Sequence, residues 1–458
     1  MKVIICGAGQ VGSGIARQLS GEHNDVTVID NSPELIQQMA DALDVRTVVG
    51  HASHPDVLDR AGAREADMII AVTFADEVNM VACQVAHSIF DVPTKIARIR
   101  AQSYLRPLWQ DLFTRDHMPI DVIISPELEV GRAVMRRLEL PGALEAVAFA
   151  DERVTFLGIS LDEDCPVVNT PLRQLTELFP DLRAVVTGIL RGEKLFVPNS
   201  GDQMMVGDTA YVVADAGQVR RVLSLFGHEE QAARRVVIVG AGNIGRHVAQ
   251  ELENGPVPVK VKIVEHDKAR AVIAADELSR TVVLNGDALD EVVLREAGAD
   301  QAETLIALTN DDEVNILSCV MAKQLGCART VALINNRAYS GLMGPMGIDA
   351  FVNPRATTVS TVLRHVRRGR IRGVSSVQDG KAEVIEAEAL TTSTLVGRPL
   401  READLPEGIR VGAVLREGEV FIPRGDTTIQ AGDRVVIFAL AADVRRVERM
   451  FRVSLEFF

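Results

Sequence analysis

The chain has 458 residues, of which 47% are hydrophobic and 24% charged, so its composition is that of a packed globular protein with about three or four domains. Its 49 basic and 63 acidic residues give a net charge of −14, and only 4% of its residues are aromatic, which argues against a nucleic acid as partner. No apolar run approaches the ~18–20 residues that span a bilayer, and the five cysteines lack zinc-ligand spacing, so we expect no direct lipid anchor and no metal site.

The first 124 residues alternate short apolar strands with helical stretches, and the chain runs so early into a glycine motif that no signal peptide is expected. The predicted strands are Val3–Cys6, Val26–Ile29, Met68–Val72 and Lys95–Ile99, and the predicted helices include Val11–Leu19 and Glu77–Ser88. This alternation predicts a doubly wound parallel sheet. A helix that opens at Pro126 is predicted within residues 125–143, and short strands over residues 144–228 predict a small α+β module.

The second half of the chain repeats the first. Three motifs recur about half a chain length later: Gly7–Gly12 as Gly240–Gly245, Asp76–Asn79 as Asp312–Asn315, and Gly207-Asp208 as Gly432-Asp433. The second copy is expected to comprise a doubly wound domain at 234–353, a linker helix at 354–372 and a small module at 373–458. The predicted fold class is therefore α/β, with two tandem Rossmann-like doubly wound parallel-sheet domains, each followed by a linker helix and a small α+β module.

Each doubly wound domain opens with a Gly-x-Gly-x-x-Gly loop between an apolar strand and a helix. The glycines allow a tight turn and a close approach of a pyrophosphate, and the helix N-terminus supplies free N–H groups. Asp30 and Glu265 end the next strand of each half, where a carboxylate would bind the ribose hydroxyls of an adenosine and repel a 2′-phosphate. We therefore expect NAD(H), ATP or ADP as ligand rather than NADP. The loop residues are Gly7, Ala8, Gly9, Gln10, Val11 and Gly12, and Gly240, Ala241, Gly242, Asn243, Ile244 and Gly245.

Further candidates stand at the carboxyl ends of later strands, where ligands bind in open α/β sheets. Thr73 and Phe74 follow the fourth strand of the first half, Thr309 and Asn310 follow that of the second, and Asp287 follows the third strand of the second half. In an alternative interpretation, the two threonines and the first aspartate of each Asp-Glu-Val-Asn motif only cap helices. The residue pattern leaves both interpretations open.

The two halves differ at the fifth strand. Arg98 and Arg100 of the first half align with Leu333 and Asn335 of the second. Arginine suits phosphate because its planar fork can donate two hydrogen bonds at once. This difference predicts that the first site holds an additional terminal phosphate; the alternative is a pair of surface arginines at an edge.

No acid–base residue recurs between the halves as two copies of a dehydrogenase would require, since His51, for example, aligns with Asp287. The sequence also lacks the serine-hydrolase, zinc-protease and P-loop motifs. Asp208 and Asp433 follow glycines and are interpreted as turn formers. We therefore expect no enzymatic activity. The alternative is an NAD-dependent oxidoreductase with a Rossmann domain and a substrate domain.

These motifs resemble those of RCK (regulator of potassium conductance) domains over nearly the whole chain, and the tandem form is similar to the regulatory subunits of bacterial Trk potassium uptake systems. The residues that carry the resemblance are Gly7–Gly12, Asp30, Ala71–Phe74, Asp76–Asn79, Ile96–Arg100 and Thr427–Asp433.

The resemblance implies a cytoplasmic protein that is peripheral at the inner face of the membrane through a partner. That partner would be a membrane-embedded Trk-type potassium transporter subunit, which the protein would gate in response to NAD(H), ATP or ADP. It also implies self-association into a homo-oligomeric ring, expected to be a tetramer. The linker helices would cross over to pair neighbouring domains through Val130, Val134 and Leu138 in the first half, and through Val359, Val362, Leu363 and Val366 in the second.

Overall fold

The computed structural model describes residues 1–21, 24–229, 233–366 and 371–451. The described part of the predicted second linker segment therefore lacks residues 367–370, and that of the second small module ends at residue 451. The described residues form two compact units. The first contains residues of 1–130 and 354–366, and the second contains residues of 131–353 and 371–451.

The described strands form four sheets, two of six strands and two of five. The first six-stranded sheet contains β1 (Lys2–Cys6), β2 (Asp25–Asp30), β3 (Arg46–Val49), β4 (Met68–Ala71), β5 (Thr94–Arg98) and β6 (Val122–Ile124). The first five-stranded sheet contains β7 (Ala143–Phe149), β8 (Val154–Ser160), β9 (Ala184–Arg191), β10 (Lys194–Phe196) and β11 (Thr209–Asp215). The second six-stranded sheet contains β12 (Arg235–Val239), β13 (Lys260–Glu265), β14 (Val282–Asn285), β15 (Thr304–Ala307), β16 (Arg329–Leu333) and β17 (Ala350–Val352). The second five-stranded sheet contains β18 (Ile371–Val377), β19 (Ala382–Glu388), β20 (Ile409–Arg416), β21 (Glu419–Phe421) and β22 (Arg434–Leu440).

Helices connect these strands. They are α1 (Gln10–Gly21), α2 (Pro33–Ala42), α3 (Pro55–Arg60), α4 (Asp76–Phe90), α5 (Pro126–Glu139), α6 (Leu172–Leu178), α7 (Val219–Leu225), α8 (Asn243–Asn254), α9 (Lys268–Glu277), α10 (Glu291–Ala297), α11 (Asp312–Leu325), α12 (Pro354–Val366) and α13 (Val444–Met450). Local chemistry fixes several helix starts. Ser32 accepts the N–H of Leu35 at the start of α2, and Asp267 accepts the N–H of Arg270 at the start of α9.

Both six-stranded sheets are parallel and share one strand order, β3-β2-β1-β4-β5-β6 in the first and β14-β13-β12-β15-β16-β17 in the second. The order reverses beside the first strand of each sheet, where β1 pairs with both β2 and β4. This is the doubly wound arrangement that the sequence predicts. Ligands of such sheets bind at the carboxyl ends of the strands beside the reversal.

In the first unit, helix α12 packs against the first parallel sheet. Val362, Leu363 and Val366 are buried in one core cluster. This cluster also contains Ile5 of the sheet and Ile15 of α1. A side chain at Gly14 of α1 would collide with Val359, since a Cβ placed there would lie 3.0 Å from its Cγ2 atom. The linker helix of the second half thus completes the core of the first parallel sheet, as the resemblance implied.

In the second unit, the two antiparallel five-stranded sheets pack face to face through a shared apolar cluster. Phe156 and Tyr211 of the first stack against Phe438 of the second, with ring centroids 6.4 and 6.3 Å from Phe438. Two glycines make room reciprocally: a Cβ at Gly188 would lie 2.7 Å from Phe438, and a Cβ at Gly412 would lie 2.7 Å from Val213. The small modules of the two halves therefore form one joint core.

Phe438→Ala should lower the free energy of unfolding of the second unit by about 3–5 kcal/mol, because Phe438 is fully buried between the two sheets and its removal leaves a cavity. Urea denaturation followed by circular dichroism measures this change. The matched control is Val292→Ala, because the Val292 side chain is 72% exposed. Equal stability of the two variants would contradict the joint core.

Candidate nucleotide sites

The first glycine of each loop is held in a conformation that favours glycine. Gly7 has φ +111° and Gly240 has φ +98°. Their N–H groups donate to the backbone oxygens of Ile29 and Val264, at 2.7 and 2.8 Å. A Cβ at Gly7 would also lie 3.1 Å from the backbone of Thr73. The tight turn therefore brings the end of the first strand against the end of the fourth strand, as the motif predicts.

The other loop glycines separate packing from ligand access. A Cβ at Gly12 would lie 1.8 Å from the carbonyl oxygen of Gly7, and a Cβ at Gly245 would lie 2.0 Å from that of Gly240. In contrast, a Cβ at Gly9 or Gly242 would meet no atom within 4 Å. Each middle glycine thus faces open space at the N-terminus of α1 or α8, where backbone N–H groups attract an anion.

The remaining residues of the two loops flank these glycines. Ala8 and Ala241 are buried, Gln10 and Asn243 are exposed in the first turn of their helices, and Val11 and Ile244 are half-buried beside them.

The predicted ribose acids hold the glycine loops. Asp30 accepts the N–H of Ala8 at 2.6 Å and that of Ser32 at 2.9 Å. Glu265 accepts the N–H of Ala241 at 2.7 Å and that of Asp267 at 2.8 Å. Each carboxylate therefore bridges the loop to the end of the second strand. A carboxylate has about four acceptor positions, so Asp30 keeps acceptor capacity for a ribose hydroxyl.

Thr73 and Thr309 are bound by the asparagines of the Asp-Glu-Val-Asn motifs. The N–H and the hydroxyl of Thr73 both donate to Oδ1 of Asn79, at 2.9 and 2.7 Å. The Asn79 amide then donates to the backbone oxygen of Arg98 at 2.9 Å. Asn315 repeats these contacts with Thr309 and with the backbone oxygen of Leu333. Both asparagines are fully buried, so each fastens the end of the fourth strand to that of the fifth.

The first aspartate of each motif has a similar role. Asp76 accepts the N–H groups of Arg100 and Ala101, at 2.9 and 2.8 Å. Asp312 accepts the N–H groups of Asn335 and Asn336, at 2.9 and 2.7 Å. Neither acid caps its helix, because the N-cap residues are Ala75 for α4 and Asp311 for α11. The helix-cap interpretation is therefore wrong for the two acids, which order the backbone that follows the fifth strand.

Arg100 is engaged within the protein. Its Nε atom donates to Glu127 at 3.0 Å, and its guanidinium lies 5.4 Å from the ring centroid of Phe74. Phe74 is 82% exposed, so its ring projects at the carboxyl end of β4 with Arg100 against it. The two predicted site residues thus lie together, and Glu127 of α5 joins them.

Arg98 lacks such a partner. Its Nε atom is buried and has no hydrogen-bond acceptor among the described residues. Burial lowers the pKa of the Arg98 guanidinium, and the nearby charge of Arg100 lowers it further. An anion bound at this position would supply the missing acceptor and would stabilise the charged guanidinium.

The corresponding position of the second half is apolar. Leu333 is buried, and the Asn335 side chain donates to Asp312 at 3.0 Å. Asn310 is exposed after β15, at the place that Phe74 has in the first half. Asp287 is exposed in the turn after β14, where it accepts the N–H of Leu289 at 2.9 Å. Nothing in these contacts equips the second site for an additional terminal phosphate.

Arg270 also lies at the second site and was not predicted from the sequence; its Nη2 atom is 3.0 Å from Oε1 of Glu265. Asp208 and Asp433 are turn formers, as predicted, since they accept the N–H groups of Met205 and Gln430 at 2.8 Å. Both acids are buried and form bidentate ion pairs, Asp208 with Arg191 and Asp433 with Arg416. They anchor the small modules as well as shaping turns.

The described residues contain no group of three His, Cys, Asp or Glu side chains placed to hold a metal ion. None of the described helices has the length and apolarity that crossing a membrane requires.

Family models match both halves of the chain. The TrkA-N domain matches residues 3–126 and 236–354, and the TrkA-C domain matches residues 156–227 and 384–452. A protein of Azorhizobium caulinodans, named Trk system potassium uptake protein TrkA, is 61% identical to this chain over 458 residues. The alignment covers 100% of both chains. The chain belongs to the TrkA family. The resemblance to regulatory subunits of Trk potassium uptake systems is thereby confirmed.

Solved structures confirm the fold of this TrkA family member. The RCK domain of GsuK superposes with a TM-score of 0.60 and 17% identity, covering 98% of this chain and 94% of that chain. The GsuK channel bound to NAD gives a TM-score of 0.60 and 17% identity, covering 98% of this chain and 78% of that chain. The α/β class with tandem Rossmann-like sheets is therefore correct.

Gly12→Ala should destabilise the first unit by several degrees in melting temperature, because the new methyl group overlaps the Gly7 carbonyl oxygen. Gly9→Ala is the matched control: it should leave the melting temperature of the ligand-free protein within about one degree, since its methyl group meets no atom. Differential scanning calorimetry of both variants checks this. If Gly9→Ala lowers the melting temperature as much as Gly12→Ala does, the middle glycine is also required for packing.

Proposed function

We propose that the chain is the regulatory, nucleotide-binding subunit of a Trk-type potassium uptake system and gates the membrane-embedded, potassium-translocating subunit. The observation that carries the proposal is the duplicated glycine loop. In each half the middle glycine leaves open space at a helix N-terminus, and a carboxylate holds the loop from the end of the second strand. Membership in the TrkA family supports the potassium transport context.

NAD(H), ATP and ADP are the proposed ligands. The helix N-terminus would receive the pyrophosphate and Asp30 would receive the adenosine ribose. The name of one related solved structure says that the GsuK channel was bound to NAD, which is consistent with this ligand class. The proposed site residues are the two glycine loops, Asp30, Thr73, Phe74, Arg98, Arg100, Glu265, Asp287, Thr309 and Asn310. Thr73 and Thr309 would act as positioning residues, because their hydroxyl groups are engaged by Asn79 and Asn315.

The first site is proposed to distinguish ATP from ADP. Arg98 offers a buried donor that has no acceptor among the described residues, and Arg100 adds charge beside it. The second site has Leu333 at the corresponding position. A γ-phosphate would therefore interact with the first site only, and it could shift a conformational equilibrium by its differential affinity for two states.

The proposed role is regulatory rather than catalytic. A dehydrogenase would need a placed proton donor or acceptor beside the nicotinamide, and the duplicated sites share no such residue in the sequence. The competing function is an NAD-dependent oxidoreductase. Steady consumption of NADH with a common oxo acid would favour that function and contradict the regulatory one.

Partner, assembly and location follow from the same role. The protein would bind a membrane-embedded Trk-type subunit and assemble into a homo-oligomeric ring, proposed to be a tetramer. It would be cytoplasmic and peripheral at the inner face of the membrane through that partner. We propose the segment boundaries 1–124, 125–143, 144–228, 234–353, 354–372 and 373–458, which agree in outline with the alternation of family matches.

Potassium flux into vesicles that contain the transporter subunit tests the proposed function. Adding the full chain should change the flux, and the change should depend on added ATP, ADP or NADH. Combined Gly9→Leu and Gly242→Leu substitutions should remove the nucleotide dependence, because both side chains would fill the space meant for the ligand. The proposal is contradicted if adding the protein leaves the potassium flux unchanged. It is also contradicted if the flux still depends on nucleotide in the doubly substituted variant.

Arg98→Ala should narrow the ratio of ATP affinity to ADP affinity at the first site about tenfold, or ~1.4 kcal/mol, because the γ-phosphate loses its donor. Competition binding on a Gly242→Leu background measures the ratio at the first site alone. The control is Arg17→Ala, which removes an exposed arginine of α1. If the ratio of ATP affinity to ADP affinity at the wild-type first site is already near one, Arg98 does not bind the terminal phosphate.

A further inference from the structure

The acid of the second site already has a cationic partner. Oε2 of Glu265 accepts the Ala241 N–H at 2.7 Å, and Oε1 accepts the Asp267 N–H at 2.8 Å. The guanidinium of Arg270 lies 3.0 Å from Oε1, and the Glu265 side chain is only 5% exposed. Three of the roughly four acceptor positions of this carboxylate are therefore occupied before any ligand arrives.

The first site lacks this partner. Asp30 accepts two backbone N–H groups and forms no ion pair with a described residue. The residue that corresponds to Arg270 in the first half is Leu35, which is half-buried against the core of the first unit. Among the described residues Asp30 therefore has no cationic partner, whereas Glu265 pairs with Arg270, whose Nε atom also lies 4.0 Å from Asp267.

This difference bears on the ribose of a bound adenosine. A carboxylate at this position favours the 2′-hydroxyl by accepting its hydrogen bond, and it repels a 2′-phosphate by like charge. At the second site Arg270 weakens both effects, since its positive charge lies beside Glu265 and it takes an acceptor position of that carboxylate. Its guanidinium is also 53% exposed on the first turn of α9, so donors remain for an incoming phosphate.

We propose that Arg270 is a specificity-determining residue that lets the second site bind adenosine dinucleotides with a 2′-phosphate. The first site, with Asp30 and Leu35, excludes them. The inference rests on the proposed nucleotide binding and revises the expectation that both sites reject NADP(H). The two sites of one chain would then respond to the non-phosphorylated and the 2′-phosphorylated dinucleotide pools differently.

The test compares NADH with NADPH, which differ only in the 2′-phosphate, by calorimetric titration of the full chain. A Gly9→Leu background reports the second site, and a Gly242→Leu background reports the first. At the first site NADPH should bind about a hundredfold or more weakly than NADH, whereas at the second site the two affinities should agree within about tenfold.

Arg270→Leu should raise the NADPH-to-NADH ratio of dissociation constants at the second site about tenfold, because it restores an unpaired carboxylate. Arg270→Lys should keep most of the wild-type ratio. Arg295→Leu is the matched control: it removes another half-exposed arginine, which pairs with Glu291 on α10, and should leave the ratio unchanged. In the opposite direction, Leu35→Arg should lower the ratio at the first site.

The outcomes separate this inference from the proposed function. If NADH binds the second site and Arg270→Leu leaves the ratio unchanged, the assignment of Arg270 is wrong while nucleotide binding stands. The inference is also wrong if the wild-type second site discriminates against NADPH as strongly as the first site does, that is, if the NADPH-to-NADH ratio of dissociation constants is the same at both sites. If neither dinucleotide binds the second site, the proposed function of that site and the inference both fail.

Discussion

The structure of both candidate nucleotide sites depends on one interaction, the hydrogen bond from the glycine loop to the acid at the end of the second strand. The Ala8 N–H donates to Asp30 at 2.6 Å, and the Ala241 N–H donates to Glu265 at 2.7 Å. Because charge-assisted bonds of this kind are strong, each acid fixes the loop that opens the following helix. In this conformation a Cβ at Gly9 or Gly242 would meet no atom within 4 Å.

A shared backbone frame carries different charges in the two halves. The buried asparagines Asn79 and Asn315 fasten the strand ends in the same way, so the two sites have one geometry. Arg98 then adds to the first site a buried donor that has no acceptor in the described part of the chain, and Arg270 forms an ion pair with the acid of the second site. Under the proposed function, duplication followed by such substitutions would give one chain two nucleotide sites of different selectivity, which suits a regulatory subunit better than a pair of identical enzymes.

The fold class, the two glycine loops and the acids Asp30 and Glu265 could be predicted from the sequence, because glycine loops, strand-terminal acids and apolar strands have local signatures. The contacts made across the fold could not. Asn79 and Asp76 resemble helix-start residues in the sequence, and only the neighbouring fifth strand reveals what they bind. Arg270 is a single arginine on a helix, and its significance depends on the side-chain direction of Glu265. A comparison of Arg270 with Leu35 was the one sequence signal that could have found it.

The number of nucleotides bound per chain tests the central claim most directly. Calorimetric titration of the full-length protein with NADH should give two binding events per chain, each removed by one substitution, Gly9→Leu or Gly242→Leu, and both removed in the double variant. Folded variants, verified by circular dichroism, make the loss attributable to the blocked loops. Binding that persists in the double variant would contradict the account, because the nucleotide would then lie outside both glycine loops.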